Sequence, residues 1–257
     1  MSASSGNKSV GPKPSSGYSG IHEHSAPLHS FLEHLTFLIF PLVFGLNIHW
    51  AGSRLYELER LWLIALAIPL GVVGGDLISG IVHWAADTYG SEDTPVIGPS
   101  LVKPFRLHHV YPRDICTHGL VETTGNVCIL AVPVLSACLY LLWLMPESGV
   151  VAFLVVCLAL TAAATVATNQ FHKWVHQVSP SSFARWLQRK RLVLEPQHHK
   201  LHHMQPFDMN YCITNGWLNP LLNKIKFFRR LEATLRFFGM EAAKAKDERQ
   251  SETAVSQ

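Results

Sequence analysis

Four apolar runs constrain this chain more than any other feature: Phe31 to Trp50, Leu61 to Val82, Val127 to Met145 and Val150 to Ala167. Each is close to the roughly 20 residues that a helix needs to cross a hydrocarbon core about 30 Å thick. The expected fold is therefore an all-α integral membrane protein with about four transmembrane helices. Composition agrees, since 48% of the residues are hydrophobic, only 15% are charged and the mean hydropathy is positive. Residues 1–30 are rich in Ser, Gly and Pro and lack the apolar core of a signal peptide, so a disordered tail is expected there. Residues 31–238 then form a membrane-embedded domain with a helical cap, and 239–257 a solvated tail.

The basic residues orient these helices. Lys173, Arg185, Arg189, Lys190, Arg191, Lys200, Lys224, Lys226, Arg229 and Arg230 all follow the fourth run, whereas the MPES link between the third and fourth runs has none. The positive-inside rule puts the C-terminal region in the cytosol. With four crossings, the Trp84 to Asn126 loop lies there too. The five cysteines show no CxxC spacing and argue against both a disulfide framework and a thiolate zinc site.

This topology sorts the histidines. His83, His108, His109, His118, His172, His176, His198, His199, His202 and His203 all reach the cytosolic face. His22, His24, His29, His34 and His49 do not join them. In HWAAD, His83 and Asp87 are four residues apart; in HKWVH, His172 and His176 are too; HHKLHH repeats the spacing. On a helix such pairs share a face and can reach one metal ion. One such cluster alone would read as a basic patch or a pH sensor. Four on one side point to metal.

Asp76 lies seven residues before His83 in an apolar run, where an ionisable group is costly; it is expected either to accept the second N–H of a ligand imidazole or to serve helix packing. Glu122 and Asn126 are read as part of a loop turn. Ten imidazoles are too many for one zinc, and calcium or magnesium would want oxygen ligands. Imidazole suits iron, and two iron ions can use most of the set. Asp87 is the one carboxylate at ligand spacing, able to bind iron directly or to accept a hydrogen bond from a ligand imidazole.

The stretches DLISGIVHWAADTYG, KPFRLHHVYP, TNQFHKWVH, HHKLHH and NYCITNGWLNP resemble the Kua-type lipid desaturase family, from about Gly75 to Leu231. The chain departs from the family pattern at Tyr111 and at Thr117–His118–Gly119, without loss of a histidine. The resemblance implies an oxygen-dependent enzyme with two non-haem iron ions held by the ten histidines named above, with Asp87 as an added acidic position. It implies removal of two hydrogens from the O-alkyl chain of a plasmanyl phospholipid such as plasmanylethanolamine, giving a vinyl ether. O2 would be the co-substrate, with electrons from cytochrome b5 or an equivalent carrier and no role for nucleic acid. The compartment would be the endoplasmic reticulum of a eukaryote or the inner membrane of a bacterium. An acyl-chain desaturase or hydroxylase would use the same metal chemistry. A membrane metal sensor or transporter would need more polar residues along the spans than Asp76 and Asn47.

Leu221 to Phe238, LLNKIKFFRRLEATLRFF, sets Leu, Ile and Phe against Lys and Arg at helical spacing. A helix there would lie on anionic lipid or pack on the cap.

Overall fold

Long apolar stretches with helix-compatible spacing fold as expected. A computed structural model describes residues 27–95 and 97–243, which are helical without a strand among the described residues. Four long helices, α1 (Pro27–Glu57), α2 (Trp62–Thr88), α4 (Leu120–Leu144) and α5 (Gly149–His176), are each long and apolar enough to cross a membrane. Shorter helices make the cap: α3 (Lys103–Val110), α6 (Ser182–Arg189), α7 (Pro196–His202), α8 (Asn219–Lys224) and α9 (Phe227–Phe237). Leu38, Leu130, Trp143 and Val150 point outward while Asn47, Asp76 and His83 are fully buried, the arrangement that lipid favours and water does not.

α5 is the hub, packing on α1, α2 and α4. Its closest partner is α2, because Gly71 and Gly75 lie one turn apart on the contact face. A Cβ on Gly75 would come within 2.5 Å of the Ala164 Cβ, and one on Gly71 would run into Leu160. Small residues that let backbones approach are the usual device for helix association in lipid. Asn47 ties α1 to α4 by donating to the Leu135 carbonyl at 3.0 Å.

Several helices outrun their apolar runs, and the extensions matter. α2 continues past Val82 through His83 and Asp87, and α5 continues past Ala167 through His172 and His176, so both pairs do share a helical face. α4 begins at Leu120, which corrects the loop-turn reading of Glu122 and Asn126. Glu122 caps that helix, its carboxylate accepting the Gly119 N–H at 2.8 Å. Residues 27–30 already belong to α1; the rest of the expected N-terminal tail, with His22 and His24, and residues 244–257 lie outside the described residues.

The amphipathic stretch 221–238 is not one helix. It breaks at Lys226, whose φ of 51° is left-handed, so that Leu222 and Phe228 can both turn inward onto Trp84, Tyr211 and Cys212. On one straight helix Leu222 and Phe228 would lie about 120° apart; the break brings both onto the same cluster. The stretch thus packs on the cap, while Phe237 and Phe238 remain exposed.

The cap is fastened to α2 by residues 211–219, which run as a strap along the helix. Asp76, fully buried, accepts the N–H groups of Asn215 (3.0 Å) and Gly216 (2.9 Å) on Oδ1 and that of Leu218 (3.1 Å) on Oδ2. Its sequence-based role as a partner for a ligand imidazole is therefore corrected: its carboxylate faces backbone N–H groups of the strap. Ser79 Oγ accepts from Ile213 N at 3.0 Å, and Thr214 Oγ1 donates to the Gly75 carbonyl at 3.2 Å. Gly80 is required where Cys212 crosses, since a Cβ there would lie 2.5 Å from the Cys212 Sγ.

Asp76→Ala would strand the buried N–H groups of Asn215 and Gly216 and the half-buried one of Leu218, each buried one costing about 1–3 kcal/mol. Thermal unfolding in detergent should show Asp76→Ala destabilised by about 3 kcal/mol or more, with Asp76→Asn intermediate because its NH2 cannot accept from Leu218. An Asp76→Ala protein as stable as the unsubstituted one would contradict this role.

Candidate metal centre

The C-terminal ends of α2 and α5 meet α3 and α7 at one end of the bundle, and each element delivers histidines there. α3 contributes His108 and His109, α7 contributes His199 and His202, and its C-cap contributes His203. Two groups of donors result. His108, His172, His176, His199 and His203 form one; His83, Asp87, His109 and His202 form the other, and within each group the donor atoms lie within 4.8 Å of one another. The groups are neighbours: ring centroids are 5.2 Å apart for His109 and His203 and 5.7 Å for His199 and His202.

The first group fits a metal ion better than it fits a hydrogen-bond network. The Nε2 atoms of His172, His176 and His199 form a triangle with edges of 2.9, 3.2 and 3.0 Å, and His203 Nε2 lies 2.9 Å from His199 Nε2. Each Nε2 has a single in-plane position, holding either a proton or a lone pair, so three such atoms cannot all be hydrogen-bonded to one another. Ligands roughly 2.1 Å from one ion and at right angles are about 3 Å apart. The triangle has that size.

In the second group the backbone fixes which nitrogen is offered. His83 Nδ1 donates to the Tyr211 carbonyl at 3.2 Å, and His202 Nδ1 donates to the Met209 carbonyl at 2.8 Å. Their Nε2 atoms are buried, lack hydrogen-bond partners and turn toward Asp87 Oδ2, at 3.4 and 3.8 Å. Asp87 Oδ2 accepts from His109 Nε2 at 3.0 Å, leaving His109 Nδ1 buried without a hydrogen-bond partner. Imidazoles held by one nitrogen and open at the other are the usual form of a metal ligand.

Electrostatics keeps the ligands available. Burial, reinforced by neighbouring imidazoles, holds His108 and His199 well below the ordinary histidine range. Burial likewise pushes His202 down to about 3 and His203 to about 4. All four are neutral near pH 7, and neutral imidazole is the metal-binding form.

Two of the ten histidines assigned to this face stand apart. His198 Nε2 accepts from Asn219 Nδ2 at 3.0 Å, and the same amide donates to the Cys212 carbonyl at 2.8 Å, so this ring joins α7 to the strap. His118 sits between Asp114 and Glu122, at 3.6 Å from each carboxylate. Spacing along the chain could not separate these two from the others, because the separation is made by residues far away in sequence. The sequence reading also missed the carbonyls of Tyr211 and Met209 that fix the two rings. Backbone acceptors leave no mark in residue identity. The excluded His34 is bound to its own helix, by Nδ1 to the Ser30 carbonyl at 2.8 Å, and His49 lies toward the other end of α1.

The model of the lipid desaturase domain matches residues 72–246, a span that includes both donor groups. A plasmanylethanolamine desaturase from Myxococcus xanthus is 41% identical over 72% of this chain and 68% of its own length. Plasmanylethanolamine desaturase 1 from Mus musculus is 36% identical over 74% of this chain and 71% of its own. The chloroplastic fatty acid desaturase 4 of Arabidopsis thaliana is 32% identical over 67% of this chain and 52% of its own. No solved structure matches.

Metal analysis of protein purified from iron-supplemented cells should find about two ions per chain, as two imidazole-rich donor groups imply. His199→Ala and His202→Ala should each lose at least half of that content, while His118→Ala and His198→Ala should retain it. Full metal content in the His199 and His202 variants would break the assignment.

Proposed function

The chain belongs to the lipid desaturase family, and on that premise we propose that it introduces the vinyl-ether double bond of plasmalogens into plasmanyl phospholipids, plasmanylethanolamine above all. Two hydrogens leave the first two carbons of the O-alkyl chain. O2 takes up four electrons, two from those C–H bonds and two from a donor such as cytochrome b5, and leaves as water. Identities of 41% and 36% to plasmanylethanolamine desaturases, with the family-model match across both donor groups, support this reading.

The donor set, imidazoles with one carboxylate, suits iron. His108, His172, His176, His199 and His203 would hold one ion, and His83, His109 and His202 the other. Two bound irons would supply the oxygen activation and C–H cleavage that side chains cannot. The protein's own part is to hold and shield. The Tyr211 and Met209 carbonyls orient His83 and His202, and Asp87 orients His109 through its Nε2–H, which makes Asp87 a positioning carboxylate beside the reacting atoms. Burial of these rings keeps bulk water from the site. Positive-inside charge supports a cytosolic face for the centre, in the endoplasmic reticulum of a eukaryote or the inner membrane of a bacterium. The four apolar helices put the substrate chain in lipid beside it.

Expression in cells that hold plasmanyl lipids and lack plasmalogens should produce acid-labile vinyl ethers. The chloroplastic fatty acid desaturase relatives favour the second reading, acyl-chain desaturation; a new acyl double bond without vinyl ether would establish it instead.

Asp87→Asn keeps an oxygen able to accept from His109, whereas Asp87→Ala does not. Vinyl-ether formation per bound iron should be reduced yet measurable in Asp87→Asn and absent in Asp87→Ala. An inactive Asp87→Asn protein would make Asp87 a direct iron ligand, and full activity in Asp87→Ala would remove it from the site.

A further inference from the structure

The strap fixes how deep part of the cap sits. Asp76 lies inside the apolar run 61–82, about 9 Å along the helix axis before that run ends. Gly75 beside it faces Ala164, within the run 150–167. Strap residues 214–218, bound at this level, therefore lie within the apolar layer of the bundle. They hold a second segment there. Leu194 N donates to the Thr214 carbonyl at 3.0 Å, and Trp217 Nε1 donates to the Arg191 carbonyl at 2.6 Å. Arg191 and Leu192 in turn close the end of α6, their N–H groups donating to the Gln188 and Leu187 carbonyls at 2.9 and 3.0 Å. α5 runs on to His176, beyond its apolar run, so residues 177–191 bring the chain back down to the membrane, and α6 lies on that return.

The faces of α6 suit that position. Ala184 and Gln188, four residues apart, are buried; Phe183 and Trp186, three apart and stacked with centroids 6.2 Å apart, are exposed on a second face; Arg185 and Arg189, four apart, are exposed on a third. Leu192 and Trp217 are exposed at the level of the strap itself, and Trp217 needs no water there because its N–H is already held by the Arg191 carbonyl. Exposed aromatics at such a depth meet acyl chains, and cations on an adjoining face meet head-group phosphates. Arg185 is bound to its own turn, by the Pro180 carbonyl at 2.6 Å, which leaves that part to Arg189 and Lys190. We propose that α6, with Lys190, Leu192 and Trp217, is the interfacial element of this protein: Phe183, Trp186, Leu192 and Trp217 lie among acyl chains on the histidine side of the membrane, and Arg189 and Lys190 on the phosphates of anionic phospholipids. The stretch 221–238 does not take this role, since its inner residues turn onto the cap.

The test uses the full chain in nanodiscs of phosphatidylcholine that carries a photoactivatable diazirine in its acyl chain, with adducts mapped by peptide mass spectrometry. Adducts should fall on Phe183, Trp186, Leu192 and Trp217 as well as on outward residues of the long helices such as Leu130 and Val150, and should spare the exposed Glu92 and Asp93 beyond the end of α2. Labelled long helices beside an unlabelled 182–192 segment overturn the proposal. Head-group contact is read separately, as the rise in unfolding temperature when phosphatidylglycerol replaces a third of the phosphatidylcholine. Arg189→Gln/Lys190→Gln should lose most of that rise with metal per chain unchanged, and added salt should erase it in the unsubstituted protein. A double variant that keeps the whole rise, or an unsubstituted protein that shows none, overturns the phosphate contact.

Discussion

One buried carboxylate holds the cap to the bundle. Asp76 sits at zero exposure inside α2 and collects three backbone N–H groups from a strap that begins more than a hundred residues later. In a low-dielectric surrounding such charge-assisted bonds are strong, and leaving either side unpaired would be costly. The strap's path then follows from neighbours on the same face: Ser79 and the Gly75 carbonyl bind it, and Gly80 lets Cys212 pass. Its carbonyl at Tyr211 is thereby set against His83, two turns beyond Asp76.

From that fastening the two donor groups inherit their arrangement. Asn219, in the strap, holds both Cys212 and His198, so α7 is positioned by the same segment that Asp76 anchors. α7 in turn presents His199 and His202 to opposite donor groups. The close approach of α2 and α5 through Gly71 and Gly75 places the other two histidine-bearing helices. The geometry of the donor groups is therefore a consequence of helix packing and backbone hydrogen bonding, with His83 and His202 held by carbonyls at their far nitrogens. Neutral, desolvated imidazoles repel one another little, and an ion among them would add the attraction that justifies their crowding.

The aromatic face of the cap completes the enclosure. Phe228 packs edge to face on Tyr211, with centroids 4.9 Å apart, and tilted at 34° on Trp84, at 5.7 Å. They close the side of the second donor group that faces α9. This packing also accounts for the break at Lys226, since a straight helix could not bury Leu222 and Phe228 against the same aromatic cluster. The outer residues of α9 stay polar or exposed, as a helix covering a buried face requires.

Residue identity by itself determined the four long apolar helices and the imidazole-rich end of the bundle, because apolar length and i,i+4 spacing are local properties of a helix. It determined too that Asp87 shares a face with His83. Only the tertiary structure decided how the histidines divide into two groups, that His118 and His198 stand outside both, and that Asp76 serves the strap. Helix ends at Glu122 and the break at Lys226 belong to the same class. Each of these depends on a partner distant in sequence, frequently a backbone carbonyl or N–H that every residue possesses, so no pattern of side chains along the chain could have carried the information.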